Sequence, residues 1–129
     1  MAIHALNQLR EIVLALPQTD EKPSPGGTIC FFTPNKKTIC YYHDSHHHGR
    51  ASLWCPVYPD FKNDLLRNKP EQFFHPHTSS AGHFSDWLGI YLDTADEIPV
   101  DWNLISKILE DAFRIAAPKW LIKKLITSR

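Results

Sequence analysis

The stretch TICFFTPNKKTICYYH, residues 28–43, decides the fold of this chain. Its two outer runs, 28–33 and 38–43, are rich in the β-branched and aromatic residues that favour strands. Between them lies PNKK, residues 34–37, a composition typical of a tight turn. The pattern predicts an antiparallel hairpin. Apolar residues barely alternate in either run, which indicates a sheet covered on both faces over much of its length.

The segments on either side of the hairpin extend this architecture. A third run with strand composition covers 51–57. On the N-terminal side, apolar residues at every third or fourth position predict an amphipathic helix that ends at Pro17. The next segment, 18–27, contains two prolines and two glycines, so we expect a loop there.

The region after the third run predicts one more helix and two short strands. Pro59 suits the first turn of a helix that ends at 69–70. Short strands are predicted at 73–74 and 87–93, on either side of a loop at 75–85.

Two helices complete the predicted fold. Asp101 is a suitable N-cap for a long helix with one apolar stripe, and Pro118 begins a shorter one. The predicted element order is α-β-β-β-α-β-β-α-α, an α+β fold with a largely antiparallel sheet. The chain has 129 residues, 43% hydrophobic and 22% charged, which suits a single globular domain over 1–129.

The same composition bears on localisation. No apolar run approaches the roughly 20 residues that span a bilayer. No leader with a basic and then an apolar segment begins the chain. We therefore expect a cytoplasmic protein with no membrane partner.

Charge is balanced overall but uneven along the chain. Fourteen basic residues match fourteen acidic ones, which argues against binding nucleic acid by bulk attraction alone. From Ala112 onward there are five basic residues and no acidic one. Such a run is either a solvated helix face or a binding patch. The candidate nucleic-acid contacts are Lys36, Lys37, Arg50, Lys119, Lys123 and Lys124.

The sequence contains no recognisable catalytic set. It has no Gly-x-Ser-x-Gly elbow, no glycine-rich phosphate loop and no carboxylate pair in a setting that would raise a pKa. Cys30, Cys40 and Cys55 lie in apolar strand-like runs, which indicates buried free thiols in a reducing compartment. The packed surroundings of Cys55, between Trp54 and Pro56, are expected to raise its pKa. A Cys30–Cys40 bridge across the hairpin is the alternative. We expect neither catalytic residues nor a cofactor.

Histidine is abundant, with eight residues, and most dense in HDSHHH, residues 43–48. His43, His46 and His48 are candidate ligands for zinc or nickel. His75, His77 and His83 form a second group that would need to fold toward the first. The alternative is an exposed His-rich loop, because a metal site needs a rigid scaffold around its ligands.

Aromatic residues suggest a second kind of binding surface. Tyr41, Tyr42, Phe84 and Trp87 flank segments that carry basic residues. Aromatic and basic side chains at a sheet edge are able to stack on or clamp single-stranded nucleic acid. For the other aromatic residues at periodic positions we predict core packing: Trp54, Phe61, Phe73, Trp102, Phe113 and Trp120.

Taken in order, short motifs along nearly the whole chain resemble the MmcQ/YjbR-like family of small proteins. They include LALP at 14–17, LW at 53–54, PEQFFHP at 70–76, GH at 82–83 and APK at 117–119. The resemblance implies a frataxin-like α+β fold and a likeness to a double-wing DNA-binding module. It implies no catalytic residues.

Together these features predict binding rather than catalysis. Nucleic acid, in the first place DNA, is the expected partner of a monomer or weak homodimer. A metal-dependent enzyme or metal sensor built on the histidines is one alternative. A protein-interaction module that uses the aromatic residues near Trp87 is the other.

Overall fold

The computed structural model describes residues 2–24, 28–47, 50–76, 86–92 and 100–127. The helices are α1 (Ala2–Val13), α2 (Pro59–Asn68), α3 (Trp102–Ala116) and α4 (Lys119–Thr127). The strands are β1 (Asp20–Ser24), β2 (Thr28–Phe32), β3 (Thr38–His47), β4 (Arg50–Pro56), β5 (Phe73–Phe74) and β6 (Trp87–Tyr91). They form one sheet in the order β1-β2-β3-β4-β6-β5, with every neighbouring pair antiparallel. The predicted α+β class is confirmed.

The hairpin of β2 and β3 forms where the sequence predicts it. In the turn, the Thr33 N–H donates to the Lys37 carbonyl at 2.9 Å, and the Thr33 hydroxyl donates to the Asn35 side chain. Lys36 closes the turn with φ 67°, in the left-handed region that non-glycine residues seldom adopt. Side-chain and backbone hydrogen bonds together therefore fix the reversal of the chain.

Two polar segments are strands although the sequence predicts loops. The segment 18–27 contains β1, which pairs with β2 along all five of its residues. As an edge strand, β1 tolerates Pro23 and needs no apolar side chains. The strand β3 continues through the histidine run to His47, which pairs with Arg50. The element order therefore has one strand more than predicted.

The first helix is shorter than predicted and ends at Val13 rather than at Pro17. The Thr19 hydroxyl donates to the Val13 carbonyl at 2.7 Å and lies 3.2 Å from the Leu16 carbonyl. Gln18 takes φ 54°. These contacts satisfy carbonyls at the helix end and turn the chain toward β1.

All four helices contribute buried side chains to one cluster on a single face of the sheet, named here the core face. Asp101 caps α3 as predicted, accepting from the Leu104 N–H at 3.1 Å. The prediction of a core position is wrong for Trp120, which is 51% exposed, because α4 turns Leu121 and Leu125 inward instead. Of the described helices, none is long and apolar enough to cross a bilayer.

Candidate functional site

The strand register places a second set of side chains on the opposite side of the sheet, named here the aromatic face. Tyr41 pairs with Trp54, Trp54 with Gly89, and Gly89 with Phe74. Because paired residues project to the same side, these rings form a row across the sheet. Tyr42, the neighbour of Tyr41, belongs to the core face.

The rings of the aromatic face contact one another. Tyr41 stacks on Trp87 with 5.8 Å between centroids and 29° between planes. Trp54 meets Phe74 edge-on at 6.5 Å, and Phe74 lies 4.5 Å from Tyr91. Trp54 is buried, whereas the other four rings are partly exposed. Water, and therefore a ligand, reaches part of this surface.

A row of polar residues lies beside the rings, two residues further along each strand. Thr28 pairs with His43, His43 with Ser52, and Ser52 with Tyr91. At the end of the row, the Tyr91 N–H donates to the Gln72 carbonyl at 2.9 Å. These five residues are named the polar row. All of them except Tyr91 are buried.

Buried polar groups normally have hydrogen-bond partners, and the polar row follows this rule only in part. The Thr28 hydroxyl and His43 Nδ1 lie 3.2 Å apart, and the His43 ring lies 4.4 Å from that of Trp54. Ser52 is fully buried, and its hydroxyl has no partner within the ranges that the structure describes. The same is true there of the Gln72 amide nitrogen. The Ser52 hydroxyl and the Gln72 amide nitrogen are therefore candidates for hydrogen bonds with a ligand.

Exposed basic side chains lie at the end of the sheet nearest the β2–β3 turn. The Nζ atoms of Lys22 and Lys36 lie 5.3 and 5.8 Å from the centroid of the Phe32 ring, which are cation–π distances. Trp87 pairs with Pro56, the last residue of β4, and β4 is antiparallel to β3. Trp87 therefore also lies at the end of the sheet nearest the β2–β3 turn. Exposed lysines and aromatic rings are found together there.

The six basic residues predicted to contact nucleic acid do not converge on one surface. Lys36 and Lys37 are exposed in the β2–β3 turn. Arg50 pairs with His47 at the far end of the ten-residue strand β3, roughly 30 Å away. The remaining three are exposed on α4, a helix of the core face: Lys119, Lys123 and Lys124.

Among the three predicted metal ligands of the histidine run, the side chain of His43 is the one whose surroundings can be described. His43 is buried against Trp54 on the aromatic face. His46 belongs to β3, whereas His48, His77 and His83 lie outside the described residues. Across the described ranges, no group of three His, Cys, Asp or Glu residues is placed to hold a metal ion.

A second polar cluster borders Trp87. Lys62 on α2 is 6% exposed, and burial lowers the pKa of its amine, although the nearby Asp86 acts in the opposite direction. Partial burial, together with the charge of Lys62, lowers the pKa of His75. The cluster carries charges of both signs and reaches the aromatic face through Asp86, the residue before Trp87.

All three cysteines are buried and free, as the sequence predicts. Burial raises the pKa of Cys55, and burial with the neighbouring thiols raises that of Cys40. Cys30 pairs with Tyr41 on the aromatic face, while Cys40 belongs to the core. The alternative of a Cys30–Cys40 bridge is therefore wrong, and neither Cys40 nor Cys55 is a thiolate nucleophile near neutral pH.

The sequence identifies Tyr41 and Trp87 as binding residues, but neither the other rings of the aromatic face nor the polar row. It grouped Tyr42 with Tyr41, whereas Tyr42 is buried in the core, and Phe84 lies outside the described residues. Single polar residues such as Ser52 give no signal within a strand-like run. The polar row is formed by residues from different strands, so it can be recognised only when the pairing register of the strands is known.

Fold and site together define a small α+β domain with a six-stranded antiparallel sheet, helices on one face and a mixed aromatic and polar surface on the other. The structure is similar to the crystal structure of the Deinococcus radiodurans protein DR2400, which carries the family-model domain DUF419. The TM-score is 0.70 at 18% sequence identity, and the match covers 93% of this chain and 86% of that chain. No family model and no curated protein matches the chain. The shared feature is the fold, and membership of the MmcQ/YjbR-like family stays a prediction.

Proposed function

We propose that this protein binds single-stranded nucleic acid, DNA in the first place, on its aromatic face. The observation that carries the proposal is the set of partly exposed rings, Phe32, Tyr41 and Trp87, beside the exposed Lys22 and Lys36. Aromatic rings on a sheet stack on bases, and neighbouring lysines contact phosphates. The resemblance to the MmcQ/YjbR-like family, with its double-wing likeness, supports the same partner.

The spacing of the rings supports a short single strand. Phe32 lies on β2, two residues beyond Cys30, the partner of Tyr41, and so belongs to the aromatic face. Tyr41 lies on β3 and Trp87 on β6, so three strand spacings separate the backbone of Phe32 from that of Trp87. At about 4.8 Å per spacing, the backbone positions that carry these three rings span roughly 14 Å. Sheet surfaces of this kind stack two or three bases.

The neutral net charge is compatible with this mode of binding. Stacking contributes roughly 1–3 kcal/mol per base and does not depend on net charge. Only the few lysines at one end of the face contact phosphate, so we expect a shallow dependence of affinity on salt.

The test is a titration in which the protein is added to labelled single-stranded DNA of about 12 nucleotides at roughly 50 mM salt. Fluorescence anisotropy of the label reports binding. We expect a dissociation constant below about 10⁻⁴ M, and Trp87→Leu should raise it about tenfold because one stacking ring is lost. Circular dichroism confirms that the variant is folded. A wild-type dissociation constant above roughly 10⁻⁴ M would remove the proposal, since it lies outside even non-specific binding.

Two matched controls distinguish binding on the aromatic face from binding on the exposed side of α4, which carries Lys119, Lys123 and Lys124. Trp120 is exposed, and Lys124 Nζ lies 5.4 Å from its ring centroid, so Trp120→Leu removes a comparable ring from the other side of the sheet. We expect unchanged affinity, and a loss as large as that of Trp87→Leu contradicts the assignment of the surface.

The charge control compares two pairs of substitutions with the same change in net charge. Lys22→Gln with Lys36→Gln should reduce the salt slope by about 1.4, because each lysine contacts one phosphate and each such contact on a single strand contributes about 0.7. Lys119→Gln with Lys123→Gln should leave the slope unchanged. The reverse result would assign binding to α4 instead.

A further inference from the structure

We infer that the polar row recognises base identity in the bound strand, with the edge of one base hydrogen-bonded to the Ser52 hydroxyl and the edge of another base to the Gln72 amide. The inference rests on the proposed function, because it needs a nucleic acid on the aromatic face. It extends that function from general stacking to a preference among bases.

The first argument is the state of Ser52. Its hydroxyl is completely buried and has no hydrogen-bond partner within the described part of the chain. Such a group destabilises the folded protein, and alanine at the same position would avoid that cost. A ligand that forms a hydrogen bond with the Ser52 hydroxyl would explain why a polar residue occupies this buried position.

The second argument is distance. The polar row lies two residues along the strands from the row of rings, which is roughly 7 Å. His43 follows Tyr41 by two positions on β3 and pairs with Ser52. A base stacked at Tyr41 therefore has an edge able to extend toward the polar row, where hydrogen bonds to base edges distinguish one base from another.

The third argument is charge. Ser52 and Gln72 are neutral and buried, and burying a phosphate there without a paired cation would be costly. The exposed Lys22 and Lys36 adjoin Phe32, near the β2–β3 turn. The uncharged edge of a base suits the polar row, and the phosphates suit the lysines.

Access to Ser52 requires a small movement of a side chain. Tyr91 pairs with Ser52, is partly exposed, and lies against Phe74 with 4.5 Å between ring centroids. On this proposal, the Tyr91 ring swings outward to admit the base edge. Rotation of a partly exposed ring is a modest change compared with refolding of the strand.

The experiment measures wild-type affinity for single-stranded oligomers of deoxyadenosine, deoxycytidine and deoxythymidine, and for an abasic strand, each of about 12 nucleotides. We expect a preference of about fivefold to tenfold for one base over the weakest, as one or two hydrogen bonds provide. Ser52→Ala should abolish this preference, leave affinity for the abasic strand unchanged, and melt at the same or a higher temperature. Gln72→Met should act in the same direction.

Ser106→Ala on α3 is the matched control and should keep the wild-type preference. If wild type shows no preference, or if Ser52→Ala keeps it, the inference is overturned while the proposed function stands, and an internal water is the partner of the hydroxyl. If none of the strands binds, the proposed function fails as well. The two failures are therefore distinguishable.

Discussion

The ring of Phe74 lies directly over Gly89, so that a Cβ at position 89 would overlap three carbons of the ring. Gly89 stands between Trp54 and Phe74 in the register of the sheet. The missing side chain is what allows Phe74 to approach the ring of Trp54 edge-on. Glycine weakens a strand interior, and close approach of another group is a recognised reason to keep it there.

Gly89→Ala should lower the free energy of unfolding by about 1–3 kcal/mol, because the added methyl group forces the Phe74 ring away from its neighbours. Urea unfolding measures the change. The control is a double-mutant cycle with Phe74→Ala, in which the cost of Gly89→Ala should nearly vanish. An undiminished cost in the Phe74→Ala background would show that the ring is not the cause.

The elements that the sequence predicted well are those whose signal is local. The hairpin around 34–37 combines strand-forming runs with turn residues, and the long helix combines an apolar stripe with the Asp101 cap. β1 lacked such a signal, because an edge strand of polar residues needs only backbone pairing with β2. The sequence therefore predicts a loop over 18–27, where the structure has β1.

The candidate site could be predicted only in part, for a related reason. Tyr41 and Tyr42 are adjacent and chemically alike, yet one lies on the aromatic face and the other in the core. Phe31 pairs with Cys40 and Phe32 with Thr38, so β3 has one extra residue between these two pairs. This bulge helps to set the register of the two strands. A shift of one residue exchanges the two faces, and composition alone does not determine that register.

β1 is anchored to α1 by an ion pair that should matter for local stability. Arg10 donates to Glu21 from Nε at 2.9 Å and from a second guanidinium nitrogen at 3.0 Å. Arg10→Gln should cost up to about 1 kcal/mol, since the pair is bidentate but partly exposed. Hydrogen exchange followed by mass spectrometry should show faster exchange in Asp20–Ser24 than in wild type.

The control for this prediction is Arg67→Gln. Arg67 lies 3.7 Å from Asp64 in a highly exposed pair on α2, so its removal should leave both global stability and exchange in β1 unchanged. Equal effects of the two substitutions would indicate a general response to lost charge rather than anchoring of β1.

The three thiols should resist modification in the folded protein. Cys30, Cys40 and Cys55 are buried and free, and burial raises the pKa of Cys40 and Cys55. A colorimetric thiol reagent at neutral pH should therefore label them only at the slow rate of opening, and label all three rapidly in denaturant. Rapid labelling of one thiol in the native protein would contradict the burial of that residue.

The protein should become less stable as the pH is lowered from neutral to mildly acidic, because His75 becomes protonated. Partial burial and the charge of Lys62 lower the pKa of His75 below its ordinary 6.5, so the unfolded chain binds the proton more readily than the folded one. The free energy of unfolding therefore decreases as the pH falls from 6.5 toward that lowered pKa. The His75 contribution should be below about 1 kcal/mol, because the ring is exposed and solvent screens the interaction.

Urea unfolding between about pH 7 and pH 5 measures this slope, and His75→Gln should make it shallower. Lys62→Met provides the complementary test, because it removes the positive charge beside the ring and should raise the pKa of His75 in an NMR titration. The opposite shift, or an identical slope in His75→Gln, would show that other histidines cause the pH dependence.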